Sequence, residues 1–145
     1  MAKLKFEIVI AERVVYSEDV DVVVAPGSEG ELGILPSHSP LITSLQPGVL
    51  TVRHDGQEVE IFVNGGFLEV KQDKVTVLAD VAERAEEIDI ARAEEAKRQA
   101  EEKLRQPSTE IDIAAAEAAL HRSMMRLKVA ERRRKKPGSG RSQPS

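Results

Sequence analysis

Histidine is the side chain best suited to acid–base and metal chemistry near neutral pH, so His38, His54 and His121 are the first place to look. None has a partner at triad or metal-ligand spacing. His38 sits in a loop flanked by Pro36 and Pro40, His54 stands beside a turn, and His121 lies in a helical stretch. A structural or solvated role is the plainer reading of each. The sequence has no Cys, which removes thiolate nucleophiles, disulfides and cysteine metal sites. Gly27, Gly30 and Gly33 lack the lysine and following helix that a phosphate cradle needs. Gly65-Gly66 reads as a strand-edge bend, and the pairs Glu86-Glu87 and Glu94-Glu95 read as solvated helix faces. No catalytic constellation is present, so the chain is expected not to be an enzyme on its own.

Two stretches ask for more than a structural explanation. Residues 27–41, GSEGELGILPSHSPL, read as a long Gly- and Pro-rich loop. It mixes the acids Glu29 and Glu31 with Leu32, Ile34 and Leu35, and an apolar loop needs something to pack on. The second stretch is the end of the last helix. After Leu120 come nine basic residues and a single acid, Glu131. Arg122 and Arg126 are four apart and share a face. Matching the helix macrodipole accounts for a few such residues but poorly for nine. An acidic partner, a nucleic acid or a nucleotide phosphate is the sharper reading.

The elements that carry these stretches can be read from periodicity. Residues 3–80 alternate at period two. Leu4, Phe6, Ile8 and Ile10 are apolar, and a second such series is Val59, Ile61 and Val63. Asp55-Gly56 between two alternating runs predicts a type I′ hairpin, and a further turn is expected around Gln72-Asp73. Short strands at this spacing mean a sandwich or barrel. From about residue 82 the period becomes helical. One helix is expected over 89–105 and a second from about 112 to 135, broken by Gln106-Pro107-Ser108. Both open on a Glu-Ile-Asp-Ile-Ala phrase, with Asp89 and Asp112 as expected N-caps. The short break predicts an antiparallel hairpin. Its expected seam is Ala93, Ala96, Ala100 and Leu104 against Ile113, Ala116, Leu120, Met124 and Leu127. So many alanines bury little, which makes the hairpin a marginal element that needs support and suits a switch.

Composition agrees with two modules. Aromatic residues are 3% and Trp is absent, so the core must be Val, Ile, Leu and Ala. Residues 1–87 hold 16 acidic and 7 basic side chains, whereas 88–145 hold 9 and 14. Opposite charge in the two halves suggests different partners. No apolar run is long enough to span a bilayer, and the N-terminus lacks the features of a signal or transit peptide. The organisation expected is a β-sandwich over 1–84, a regulatory helical hairpin over 85–136, and a disordered basic tail over 137–145.

GELGILPSHSPL (30–41), NGGFLEV (64–70), KVTVLAD (74–80) and IDIARA (88–93) together resemble the epsilon subunit of bacterial and chloroplast F-type ATP synthases. The resemblance runs from the first strand to about Glu131. It implies a flattened antiparallel sandwich of about ten strands in two sheets, followed by an antiparallel helix pair. It also implies a non-catalytic place on the central stalk, between the gamma subunit and the c-ring, peripheral to the cytoplasmic face of the cell membrane and without insertion into it. The implied role is to couple rotation to ATP synthesis, with proton transport, and to restrain hydrolysis by the catalytic beta and alpha subunits. Residue by residue, it implies a c-ring contact at Glu29, Gly30, Glu31 and His38. For an inhibitory basic helix it points to Arg122, Arg126, Lys128, Arg132, Arg133 and Arg134. No cofactor is implied as required. ATP is implied as a regulatory ligand of some members, through an I/L-D-x-x-R-A motif matched by Ile88, Asp89, Arg92 and Ala93, with Glu83, Arg122 and Arg126 nearby in the pattern. Asp89 is accounted for equally by capping. The competing reading, a nucleic-acid-binding adaptor, explains residues 122–141 and leaves the loop and sandwich unexplained.

Overall fold

The computed structural model of the chain describes residues 2–135, with side chains through Glu131, so the expected tail lies outside the described residues. The first unit, Met1–Arg84, is built from ten strands. They are β1 (Leu4–Val9), β2 (Val14–Val20), β3 (Val22–Gly27), β4 (Gly30–Ile34) and β5 (Leu41–Ser44), then β6 (Gly48–His54), β7 (Gln57–Asn64), β8 (Phe67–Lys71), β9 (Lys74–Leu78) and β10 (Val81–Arg84). Two five-stranded sheets result, ordered β2-β1-β9-β8-β5 and β10-β7-β6-β3-β4. One pairing departs from an antiparallel sandwich: β1 and β9 run parallel. The first strand lies between β2 and β9, and the chain returns to it only after laying down four of the other sheet's five strands.

Period-two alternation does what it predicts. Leu4, Phe6 and Ile8 are buried while Lys5 is exposed, and Val75 and Val77 are buried beside exposed Lys74 and Leu78. The rings of Phe6 and Tyr16 pack at 5.8 Å, and the Arg84 guanidinium lies 5.7 Å over the Tyr16 ring. Burial raises the Tyr16 pKa. Phe62 is fully buried although it faces away from Ile61 and Val63 on β7. Asp55 and Gly56 take φ of 52° and 78°, the left-handed pair that a type I′ turn requires. Gln72 and Asp73 do the same at 52° and 60°. The Lys3 ammonium bonds Asp55 at 2.8 Å and Asp21 at 3.1 Å, pulling both carboxyls below their ordinary pKa.

The expected loop over 27–41 is partly a strand. Residues 30–34 form β4, which pairs with β3 through a tight turn at Ser28-Glu29. Gly30, with φ of 128°, allows the reversal, and the alternation of exposed Glu31 and half-buried Leu32 then continues as strand.

The second unit holds a 3₁₀ turn (Ala85–Glu87), α1 (Ile90–Leu104) and α2 (Glu110–Lys135). Asp89 caps α1 as expected, accepting from the Arg92 N–H at 3.1 Å. The cap of α2 is Thr109 instead of Asp112. The Thr109 hydroxyl accepts from the Asp112 N–H at 3.1 Å, so the helix starts earlier and Asp112 sits in its first turn. A Ser/Thr cap three residues before an acid satisfies the helix's unpaired N–H groups as well as an aspartate would. The seam also differs. On α2 the buried residues are Ala116, Ser123, Val129 and Ala130, while Ile113 and Met124 are 38% and 45% exposed. Small side chains at Ala116 and Ser123 let helices approach closely, which leaves Ile113 and Met124 at the flank. The buried Ser123 hydroxyl is satisfied by the Ala119 carbonyl at 2.8 Å.

Candidate partner interface

The acidic turn is the most exposed part of the sandwich's functional sequence. Ser28, Glu29, Gly30 and Glu31 are all exposed and lie at the end of the β3–β4 hairpin, on the edge of their sheet. Bonds from the β5–β6 side hold the turn's base. The Ser28 N–H donates to the Ser44 carbonyl at 3.0 Å, and the Gln46 N–H donates to the Pro26 carbonyl at 2.8 Å. The Gln46 side chain donates to the Ser28 carbonyl at 2.8 Å.

His38 is not with them. It follows β4, whose five residues extend about 3.3 Å each. Its loop is tied instead to the β8–β9 turn, where Asp73 accepts from the Ser37 N–H at 2.6 Å. The His38 ring Nδ1 lies 2.7 Å from the neighbouring Ser39 carbonyl oxygen. The structure therefore brings Glu29, Gly30 and Glu31 together and separates His38 from them.

An apolar row on the outer face of the first sheet was not foreseen. Val14 pairs with Val9, Val9 with Leu78, and Leu78 with Phe67, so four apolar side chains line up across β2, β1, β9 and β8. Phe67 is 58% exposed, Leu78 57% and Val14 50%. Ile42 on β5 is exposed as well, two residues from Ser44, the cross-strand neighbour of Phe67. A depression of about 500 Å³ lies along the row between Val9, Phe67 and Leu78. The signal in the sequence was a pair of adjacent apolar residues within a strand, Phe67-Leu68 and Val77-Leu78, of which one must face outward. The row and the acidic turn occupy the same end of the sandwich, because Ser44 neighbours Phe67 and also accepts from Ser28.

In the helical unit, Ile88 and Ala93 are buried and Asp89 and Arg92 are exposed at the start of α1. Arg122 and Arg126 are half-buried on α2, and Lys128 is exposed. Glu83 is on β10 in the first unit, paired with Phe62. A cavity of about 480 Å³ between the helices lies toward their turn, lined by alanines such as Ala100 and Ala116 with Gln99, Lys103 and Asp112. None of the residues implied to bind ATP lines it. Arg132, Arg133 and Arg134 continue α2, and their side chains lie outside the described residues. Among the described residues, no three His, Asp or Glu side chains gather as a metal site would need.

Two family models match consecutive parts of the chain. Residues 3–85 match the ATP synthase delta/epsilon chain β-sandwich domain, and 86–131 match the long α-helix domain of the same chain. The chain is 60% identical over 138 residues to an ATP synthase epsilon chain of Dehalococcoides mccartyi, covering 94% of this chain and 99% of that one. It is 52% identical over 132 residues to the epsilon chain of Desulforamulus reducens, covering 90% and 100%. Among solved structures, a chain of the Euglena gracilis mitochondrial ATP synthase OSCP/F1/c-ring assembly is similar, with a TM-score of 0.76 and 26% identity. That match covers 90% of this chain and 82% of the other.

Proposed function

Because the chain belongs to the delta/epsilon chain family of ATP synthases, as an epsilon chain and a non-catalytic subunit of the central stalk, we propose that its sandwich docks the stalk by two adjoining surfaces. The apolar row takes the gamma subunit, and the acidic turn at Glu29–Glu31 meets the polar loops of the c-ring. The observation that supports this is the junction at Ser44, which puts a water-excluding row beside an exposed charged tip at one end of one unit. Contiguous exposed apolar residues suit a lasting protein contact, and charged groups at its margin suit orientation. Through these contacts the chain couples rotation to proton flow during ATP synthesis. Its location on this reading is the cytoplasmic face of the cell membrane, reached through the complex. No helix among the described residues is long and apolar enough to cross a membrane.

The test is charge reversal of Glu29 and Glu31 together. Both are exposed, so the variant is expected to fold with a change under about 0.5 kcal/mol. In reconstituted vesicles, ATP-driven proton pumping should fall relative to ATP hydrolysis. Normal pumping by the folded double variant would discard the ring contact.

The helical unit is the regulatory part on this reading. Arg122, Arg126, Lys128 and Arg132–Arg134 make the helix basic, and through them it restrains the catalytic subunits by pairing with acidic segments. Neutralising these six should raise ATP hydrolysis by the assembled enzyme, most strongly at low salt, where charges are least screened. Unchanged hydrolysis across salt concentrations would remove the brake. On this reading ATP is the regulatory ligand, with Arg92, Arg122 and Arg126 taking the triphosphate while Asp89 keeps its capping bond. The nucleic-acid alternative rested on residues 122–141, of which 122–131 lie within the matched helical domain.

A further inference from the structure

A tip that meets a moving partner must hold its pose, yet the backbone at this tip is poorly braced by its own sheet. β4 is an edge strand, paired on one side only. The β3–β6 ladder runs through Val22, Val23 and Val24 and does not include the last residues before the turn. Pro26 has no N–H to contribute there. Gly30, with φ of 128°, adds a residue with wide conformational freedom.

One side chain bonds these last residues from outside the ladder. Gln46 lies in the connection from β5 to β6, where the chain passes from one sheet to the other. Its Nε2 donates to two successive carbonyls of the turn, Gly27 at 3.2 Å and Ser28 at 2.8 Å. Its own N–H donates to Pro26, and an isolated bridge joins Gly27 to Leu45. The chemistry is specific. Two carbonyl oxygens facing one side chain require a donor, and a carboxylate of the same shape would repel both. We propose that Gln46 is a positioning residue: by bonding the Gly27 and Ser28 carbonyls from the inter-sheet connection, it sets the pose in which Glu29 and Glu31 meet the stalk partner. This rests on the reading of that turn as the ring contact.

Three variants separate the bonds from mere packing. Gln46→Met keeps the shape and loses the donor, Gln46→Glu turns donor into acceptor, and Gln46→Lys keeps a donor. Gln46 is exposed, so all three are expected to fold. Two readouts are taken, the amide exchange rate of Ser28 in the full chain by NMR, and the ratio of ATP-driven proton pumping to hydrolysis in the reconstituted enzyme. The Ser28 amide reports directly, since it donates to Ser44 at the base of the turn. With Met or Glu at the position, its exchange should quicken by roughly three- to tenfold, the range of one hydrogen bond. The pumping ratio should fall with it, and Lys should restore both. Unchanged Ser28 exchange in Gln46→Met overturns the latch. Faster exchange with a normal pumping ratio overturns the positioning role, provided that charge reversal at Glu29 and Glu31 lowers the ratio. If that reversal also leaves the ratio normal, the ring-contact reading itself has failed and the positioning role falls with it.

Discussion

Glutamate at both Phe67 and Leu78 is expected to release the chain from a gamma-containing subcomplex, lowering affinity by more than roughly a thousandfold. The two residues are direct cross-strand neighbours, 58% and 57% exposed in the free chain. Burying each against a partner contributes about 1.5–3 kcal/mol. Replacing them removes that gain and puts two carboxylates into a contact that offers no counter-charge, which adds several kcal/mol of penalty. The chain itself should be indifferent, because both side chains already face water. Affinity capture with purified subcomplex, alongside the melting temperature of the free variant, checks both halves. Capture lost with the melting temperature kept is the expected pair. Capture retained would mean that the row is not the docking surface.

The second large effect is on the fold. Gly66 has φ of 104°, and a Cβ there would collide with the Leu78 carbonyl oxygen and come 2.7 Å from the Ala79 Cα. Both obstacles are backbone, at the end of β9 and the start of the link to β10, so neither can rotate aside. The Gly66 carbonyl also accepts from the Leu45 N–H at 2.9 Å, tying this bend to the connection that carries Gln46. Gly66→Ala should therefore destabilise the chain by about 4 kcal/mol, combining left-handed strain with overpacking. That is a large part of the 5–15 kcal/mol that ordinarily holds a domain. In urea the midpoint should drop by roughly 2 M. Gly33→Ala is the control. A Cβ at Gly33 meets nothing within 4 Å, so its midpoint should barely move. Equal midpoints for the two variants would contradict this account of the bend.

The sequence revealed the features that depend on local periodicity. The alternation of Leu4, Phe6 and Ile8 locates a strand and its inner face, and Asp55-Gly56 locates a turn, because a left-handed pair leaves a residue signature. Asp89 as a cap was legible for the same reason. Features set by other parts of the chain were not. The parallel pairing of β1 with β9 depends on the route of everything between them. The burial of Ser123 in place of Met124 depends on how closely two helices approach, which small side chains decide jointly. β4 was hidden by glycines that also mark loops, and its strand character is supplied by its pairing with β3. In the candidate site, Glu29 and Glu31 were visible as acids in an unusual run, and their neighbourhood at the turn is what the fold adds. The apolar row escaped notice because its members come from four strands, and each alone looks like an ordinary strand residue. His38 shares a sequence motif with the acidic turn, but an intervening strand carries it away.

The absence of cysteine allows a direct test of the two docking surfaces. Single-cysteine variants Leu78→Cys and Glu31→Cys, labelled with a short photoreactive maleimide, can be assembled into the complete enzyme and illuminated. Mass spectrometry of the adducts then names the neighbour of each position. The account predicts gamma-subunit peptides from position 78 and c-subunit loop peptides from position 31. Adducts at position 78 that lack gamma, or at position 31 that lack the ring subunit, would contradict it.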